Sequence, residues 1–217
     1  MTRQPEPEPV VERRPDRQAI VVAGGRASRL GGIDKCALEG NGTSLLERAL
    51  LAAGPVDTVI VGRGTVTQSA TRVRYVDETP RFGGPVAAIA AGLASLDGQP
   101  WTLVLAGDLP EVGSAVPLLL AAFGRPRFPA AVDGVVAADG GGRVQPLLGL
   151  YRTTALERAL HALPAIDGAS VRALLSPLVL AAITVPHASC ADVDTPDDVR
   201  RFGLSLPDGA AGVERVA

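Results

Sequence analysis

Apolar residues along this chain fall into two alternating patterns, short β-branched runs and stripes with a helical period. Ala19-Ile20-Val21-Val22-Ala23, Val56 to Val61, Val73 to Val76, Trp101 to Ala106 and Leu180 to Val185 read as strands. The first and fourth of these are apolar enough for strands covered on both faces of a parallel sheet. Between the runs, Leu45, Leu46, Ala49, Leu50 and Ala53 recur at helical spacing behind a Thr43-Ser44 cap and stop at Gly54-Pro55. Further helices are predicted over Val86 to Leu96, Val112 to Phe123, Ala155 to Leu163 behind Thr153-Thr154, and Ser170 to Leu175. Gly134 to Ala138 and Val144 to Tyr151 read as two strands joined by the flexible loop Asp139-Gly140-Gly141-Gly142-Arg143. Near the end, Thr195 caps a helix with Pro196 in its first turn and Asp197 and Asp198 against its positive dipole end. Strand and helix alternating in this way predict an α/β fold of three layers, a doubly wound and mainly parallel sheet between helices.

A chain of 217 residues suits one such domain, placed here at residues 18–203. Residues 1–17 alternate Pro with Glu and then run into Arg, a composition that buries too little to offset ordering entropy, and are expected to form a disordered tail. Residues 204–217 are expected to form a flexible one. Hydrophobic residues make up 47% of the chain but aromatic ones only 3%, so the core is packed from small aliphatic side chains. A net charge of -2 argues against a protein that coats nucleic acid, while leaving room for a local basic pocket. Cys36 and Cys190 have no zinc-spaced neighbours and read as reduced thiols. There is no apolar stretch long enough to span a bilayer and the N-terminus is unlike a signal peptide, so the expected setting is the cytoplasm, away from any membrane.

Chemistry concentrates in Ala19 to Lys35, AIVVAGGRASRLGGIDK, where the first strand breaks into glycine. Gly24 and Gly25 allow a loop to lay its N–H groups against phosphate oxygens. Arg26, Arg29 and, after Gly31-Gly32, Lys35 add positive charge suited to the same anion. The spacing is that of neither a P-loop nor a dinucleotide fingerprint. Trp101 to Ala106 ends in Gly107-Asp108, which sets a carboxylate over the crevice where such sheets bind ligands, and Gly62-Arg63-Gly64 closes the second strand at the same edge. Asp77 follows the third strand. Gly83-Gly84-Pro85 opens a helix, either to present free N–H groups to a ligand or to let the chain turn tightly.

The first loop closely resembles the signature of nucleotidyltransferases that begin (L/V)-A-G-G-x-x-x-R-(M/L)-G-x-x-K, and among them the molybdenum cofactor guanylyltransferases. The Asp108 strand end, the Gln145-Pro146 strand and the Asp194-Thr195-Pro196 helix start follow in that family's order. The resemblance implies a Rossmann-like nucleotidyltransferase fold and Mg²⁺-dependent transfer of GMP from GTP to molybdopterin. It implies that Val22, Ala23, Gly24, Lys35 and Asp77 bind GTP, with Gly25, Arg26 and Gly84 alongside, and that Asp108 binds both GTP and Mg²⁺. Lys35, Asp108 and Arg29 would carry the catalysis, and Gln145 and Arg143 would lie on the acceptor side. Molybdoenzyme apoproteins or cofactor-handling proteins are the implied partners.

Two departures bear on the base. The late motif reads Asp192-Val193-Asp194, where the guanylyltransferases often carry asparagines. Aspartates there resemble relatives that use CTP or sugar phosphates, and make Asp194 a candidate second metal ligand. Gly62-Arg63 stands where the family often has an asparagine near the nucleotide. The alternatives are therefore a related enzyme using CTP or activating another small phosphate, and a nucleotide-binding module without catalysis. His161 and His187 read as surface residues.

Overall fold

In the computed structural model, which describes residues 16–24, 33–62, 73–123 and 131–206, β1 (Arg17–Ala23) is buried along its whole length. It pairs in parallel with β4 (Thr58–Gly62) on one side and β6 (Trp101–Ala106) on the other. Beyond β4 lies β5 (Val73–Val76); beyond β6 come β8 (Val144–Arg152), β7 (Gly134–Ala138) and β9 (Leu180–Thr184), giving the order β5-β4-β1-β6-β8-β7-β9. Only β8 runs against the rest of this sheet.

The pleat of β1 sorts its residues to two cores. Ala19, Val21 and Ala23 pack on one face with α1 (Leu45–Ala53) and α3 (Val112–Phe123). Ile20 and Val22 pack on the other with α2 (Pro85–Ala94), α4 (Thr153–Ala162) and α5 (Val171–Leu175). These are the three layers expected of a doubly wound sheet. Among the described residues, no helix is long and apolar enough to cross a membrane.

Helix and sheet meet closely at Gly92 of α2, where an added Cβ would stand 2.8 Å from Ile20 Cδ1 and Cγ2. Gly92→Val is expected to cost about 2–3 kcal/mol by overpacking, lowering Tm by roughly 5–10 °C. A thermal melt that does not move would show that the two layers have slack.

A third, smaller core matters most for the site. Leu38, Leu45, Val193 and Leu204 are buried together, with Ile33, Val199 and Phe202 against them. It docks α6 (Pro196–Arg201) against the start of α1. Two features here differ from expectation. Glu39–Gly40 (β2) and Thr43–Ser44 (β3) form a two-residue hairpin closed by Asn41 and Gly42, both at positive φ (56° and 72°), the geometry that Asn-Gly favours. Leu204 and Ser205, expected in the C-terminal tail, are held in place: Leu204 by the third core, Ser205 by two 2.8 Å backbone hydrogen bonds with Glu39. At the other end Arg17, expected in the N-terminal tail, is the first residue of β1, and its guanidinium donates to the Ala53 carbonyl at the end of α1. Of the two expected tails, residues 1–15 and 207–217 lie outside the described residues.

Candidate active site

Strand order reverses between β1 and β6, so the connections leaving their C-terminal ends diverge and open a crevice. Asp108 stands at its mouth. The Gly107 amide donates to the Val22 carbonyl (2.9 Å), carrying the ladder one residue past β6. A Cβ at Gly107 would lie 2.9 Å from Cys36 Sγ, so glycine is what lets the strand end come this close. The Asp108 carbonyl in turn accepts from the Val193 amide (3.2 Å), which draws the segment 192–195 across the crevice.

Lys35 begins a short 3₁₀ turn, Lys35–Ala37, whose Asp34 cap accepts from the Cys36 amide at 3.0 Å. Its ammonium lies 3.8 Å from Asp108 Oδ2 and donates a hydrogen bond to Asp194 Oδ1. Burial of Leu38 and Val193 in one cluster explains the meeting, since each is within three residues of a partner in the ion pair. Asp194 is further fixed by the Thr195–Asp198 capping box, in which Asp198 Oδ2 accepts from the Asp194 and Thr195 amides and the Thr195 hydroxyl. Burial pushes the Asp108 carboxyl up to about 6; Lys35 opposes the shift, and the nearby charges of Asp192 and Asp194 add to it.

Val22 and Ala23 end β1 at this crevice and Gly24 follows them, while Gly25, Arg26 and Arg29 lie outside the described residues, as does Arg63. Gly62, at φ 111°, packs so tightly on the first loop that a Cβ would stand 2.7 Å from the Gly24 nitrogen. No asparagine side chain fits there. Asp77 is half exposed and pairs with Arg81 at 2.6 Å. Its neighbour Glu78 is buried instead, accepting from the Phe82 amide (3.0 Å) and lying with Oε1 3.7 Å from where a Gly24 Cβ would be. Glu78 did not stand out in the sequence; the available signal was that adjacent residues beyond a strand face opposite ways. Gly84 caps α2 at φ 91° with open space where a Cβ would go, so its backbone angle is what calls for glycine.

On the far side, Gln145 Nε2 donates to the Cys190 carbonyl (3.2 Å). Arg143 lines a cavity of about 270 Å³ with Asp139, His187, Cys190, Asp192 and Asp194. Asp194 therefore belongs both to this cavity and to the Lys35–Asp108 centre. Neither Asp139 nor His187 was singled out as a site residue from sequence.

Such a crevice, with a lysine bridging two carboxylates beside a glycine loop, suits chemistry on a polyphosphate. A family model described as MobA-like NTP transferase domain matches residues 19–182. A molybdenum cofactor guanylyltransferase of Pseudomonas paraeruginosa is 35% identical over 191 residues, covering 84% of this chain and 92% of that one. Among solved structures, molybdopterin-guanine dinucleotide biosynthesis protein A from Archaeoglobus fulgidus superposes with a TM-score of 0.61 at 24% identity, over 85% of this chain and 96% of that one. A 4-diphosphocytidyl-2C-methyl-D-erythritol synthase from Anaerococcus prevotii reaches a TM-score of 0.61 at 14% identity, over 87% and 94%. The chain belongs to the MobA-like NTP transferase domain family and is a nucleotidyltransferase.

Proposed function

We propose that the protein transfers GMP from GTP to the phosphate of molybdopterin, forming molybdopterin guanine dinucleotide and releasing pyrophosphate. The observation that carries this reading is the convergence of Lys35, Asp108 and Asp194 at the sheet's switch point. The relatives named as guanylyltransferases favour guanine and the molybdenum cofactor.

In the reaction an oxygen of the acceptor phosphate attacks the α-phosphorus; that P–O bond forms as the bond to the bridging β-phosphate oxygen breaks, and the electron pair leaves with pyrophosphate. Lys35 and the Gly24 backbone hold the triphosphate, and the resemblance assigns Gly25, Arg26 and Arg29 to the same anion. Asp77 and Gly84 serve the nucleotide side, Arg143 and Gln145 the acceptor side.

The donor set fits Mg²⁺. Asp108 and Asp194 offer hard oxygen ligands around a position that already stabilises the Lys35 cation. Among the described residues, no group of three or more His, Cys, Asp or Glu forms a protein cage for a metal, so the two carboxylates would act together with phosphate oxygens and water. Bound there, Mg²⁺ would draw charge from the α-phosphate and the leaving oxygen. A cytoplasmic setting belongs to the same proposal and is supported by two buried free thiols, Cys36 and Cys190, which suit a reducing compartment.

Asp192 and Asp194 favour a second reading, in which CTP is the donor. A thermal-shift comparison separates the two. At 100-fold its Kd, GTP with Mg²⁺ should stabilise the protein by about 2.7 kcal/mol, a rise of roughly 5–10 °C, with clearly smaller shifts for CTP, ATP and UTP. Equal shifts for GTP and CTP would remove the guanine assignment.

A further inference from the structure

The 270 Å³ cavity is lined by a histidine–aspartate pair that takes no part in the Lys35 centre. His187 opens the 3₁₀ turn His187–Cys190 after β9, and its Nδ1 lies 2.9 Å from Asp139 Oδ2. Asp139 follows β7, the strand that β9 pairs with, so both residues leave the sheet at the edge that carries Asp108. The Asp139 side chain is only 5% exposed, whereas that of His187 is 68% exposed. Asp139 Oδ1 accepts from the Gly141 and Arg143 amides, each at 2.9 Å. The Arg143 amide above all, with the His187 ring and the Gly141 amide, holds the Asp139 carboxyl below its usual range. It therefore remains an anion able to accept a hydrogen bond from Nδ1–H, which fixes the ring and leaves Nε2 on the exposed edge.

The cavity adjoins the reaction centre through Asp194. Its acids are partly engaged: Lys35 takes Asp194, and the Thr195 cap takes Asp198. Asp192 adds negative charge, while Arg143 and Arg201 supply positive charge and Cys190 is a neutral, buried thiol. An acceptor entering here brings a phosphate monoester, which is close to a dianion at neutral pH. What the cavity offers it is a donor with a fixed direction.

We propose that His187, oriented by Asp139, binds the acceptor's phosphate monoester as an imidazolium, Nδ1–H donating to Asp139 and Nε2–H to the phosphate, and so sets the affinity for the acceptor. This rests on the reaction proposed above. His187 is a binding residue; Asp139 is a positioning residue acting through it. No proton transfer is required of either, because the acceptor oxygen is already ionised.

The test uses His187→Gln and Asp139→Asn in the full chain. His187→Gln is expected to raise KM for molybdopterin about tenfold, the loss of one charge-assisted hydrogen bond, with KM for GTP and kcat at saturating acceptor within about twofold of the parent. Asp139→Asn should produce the same split, since Asn still accepts from the two amides but cannot hold the His187 ring as an anion does. Should Asp139→Asn fold poorly, the surface variant His187→Gln decides alone.

With only two histidines in the chain, the His187 ring signal is assignable by NMR from a His161→Gln sample. Inorganic phosphate and molybdopterin, added separately, should each move the His187 signal and leave that of His161 in place. An unmoved His187 signal overturns the proposal, as does an unchanged molybdopterin KM or a loss confined to kcat. A parent enzyme that does not turn over GTP and molybdopterin would overturn the proposed reaction, and the response of the ring to inorganic phosphate would still decide whether His187 receives phosphate.

Discussion

Asp108→Asn is expected to lower kcat/KM for GTP and molybdopterin about 10²–10³-fold while making the metal-free protein more stable at neutral pH. The two effects have one cause. Asp108 sits where the crevice withdraws it from water, so its carboxyl is raised from 3.8 to about 6 despite Lys35 nearby. Ionising it in the folded protein is harder than in the unfolded chain. A carboxyl raised in this way contributes stability that is fully present below its unfolded value and lost as pH rises through its folded value. The side chain keeps a quarter of its surface, so the penalty is discounted to about 1–2 kcal/mol at pH 7. Asparagine keeps the shape without the charge. In EDTA the variant should melt roughly 3–6 °C above the parent near pH 7.5, and the gap should close toward pH 4. Pyrophosphate release gives the rate. Normal turnover would sink the role of Asp108, and a variant that melts lower at neutral pH would show that the carboxylate is stabilised rather than strained.

How much of this was legible in the chain varies with the range of the interaction. The Trp101 to Ala106 strand and its Gly107-Asp108 end are local features, and the structure reproduces that strand residue for residue. So are the capping residues Ser44 and Thr195, each of which caps the expected helix and is found in a capping box. Lys35 stood out as a loop lysine, but its hydrogen bond to Asp194 spans 159 residues and depends on Leu38 and Val193 sharing a core. No periodicity encodes such a meeting. The Asn41-Gly42 hairpin escaped notice because its strands are two residues each, too short to alternate. Asp77 and Glu78 show the same limit at one-residue scale: both are acids after a strand, and only packing decides that Asp77 pairs with Arg81 while Glu78 turns in beneath Gly24. His187 read as a surface residue and is one, yet its partner Asp139 is buried. That pairing follows from β7 lying beside β9, which is a matter of sheet topology.

Lys35→Ala is expected to reduce kcat/KM by about 10²–10³-fold and, in the absence of nucleotide, to tighten Mg²⁺ binding about tenfold. The loss of rate follows from removing a positive group that meets the triphosphate. The gain in metal affinity follows from what Lys35 does before substrate arrives. Its ammonium bonds Asp194 and stands 3.8 Å from Asp108, so any second cation near those carboxylates meets it at close range. Two like charges about 4 Å apart repel by roughly 4 kcal/mol at an effective dielectric near 20, and less here because Asp194 is more than a third exposed. Without the lysine, Asp108, Asp192 and Asp194 repel one another, and the variant should be about 1–2 kcal/mol less stable at pH 7. Mg²⁺ should therefore raise the Tm of the variant by more than that of the parent, and calorimetric titration should give the tighter Kd directly. If Mg²⁺ instead binds the variant no better than the parent, Lys35 is not holding the place of a cation, and its pairing with Asp194 serves only to close the fold.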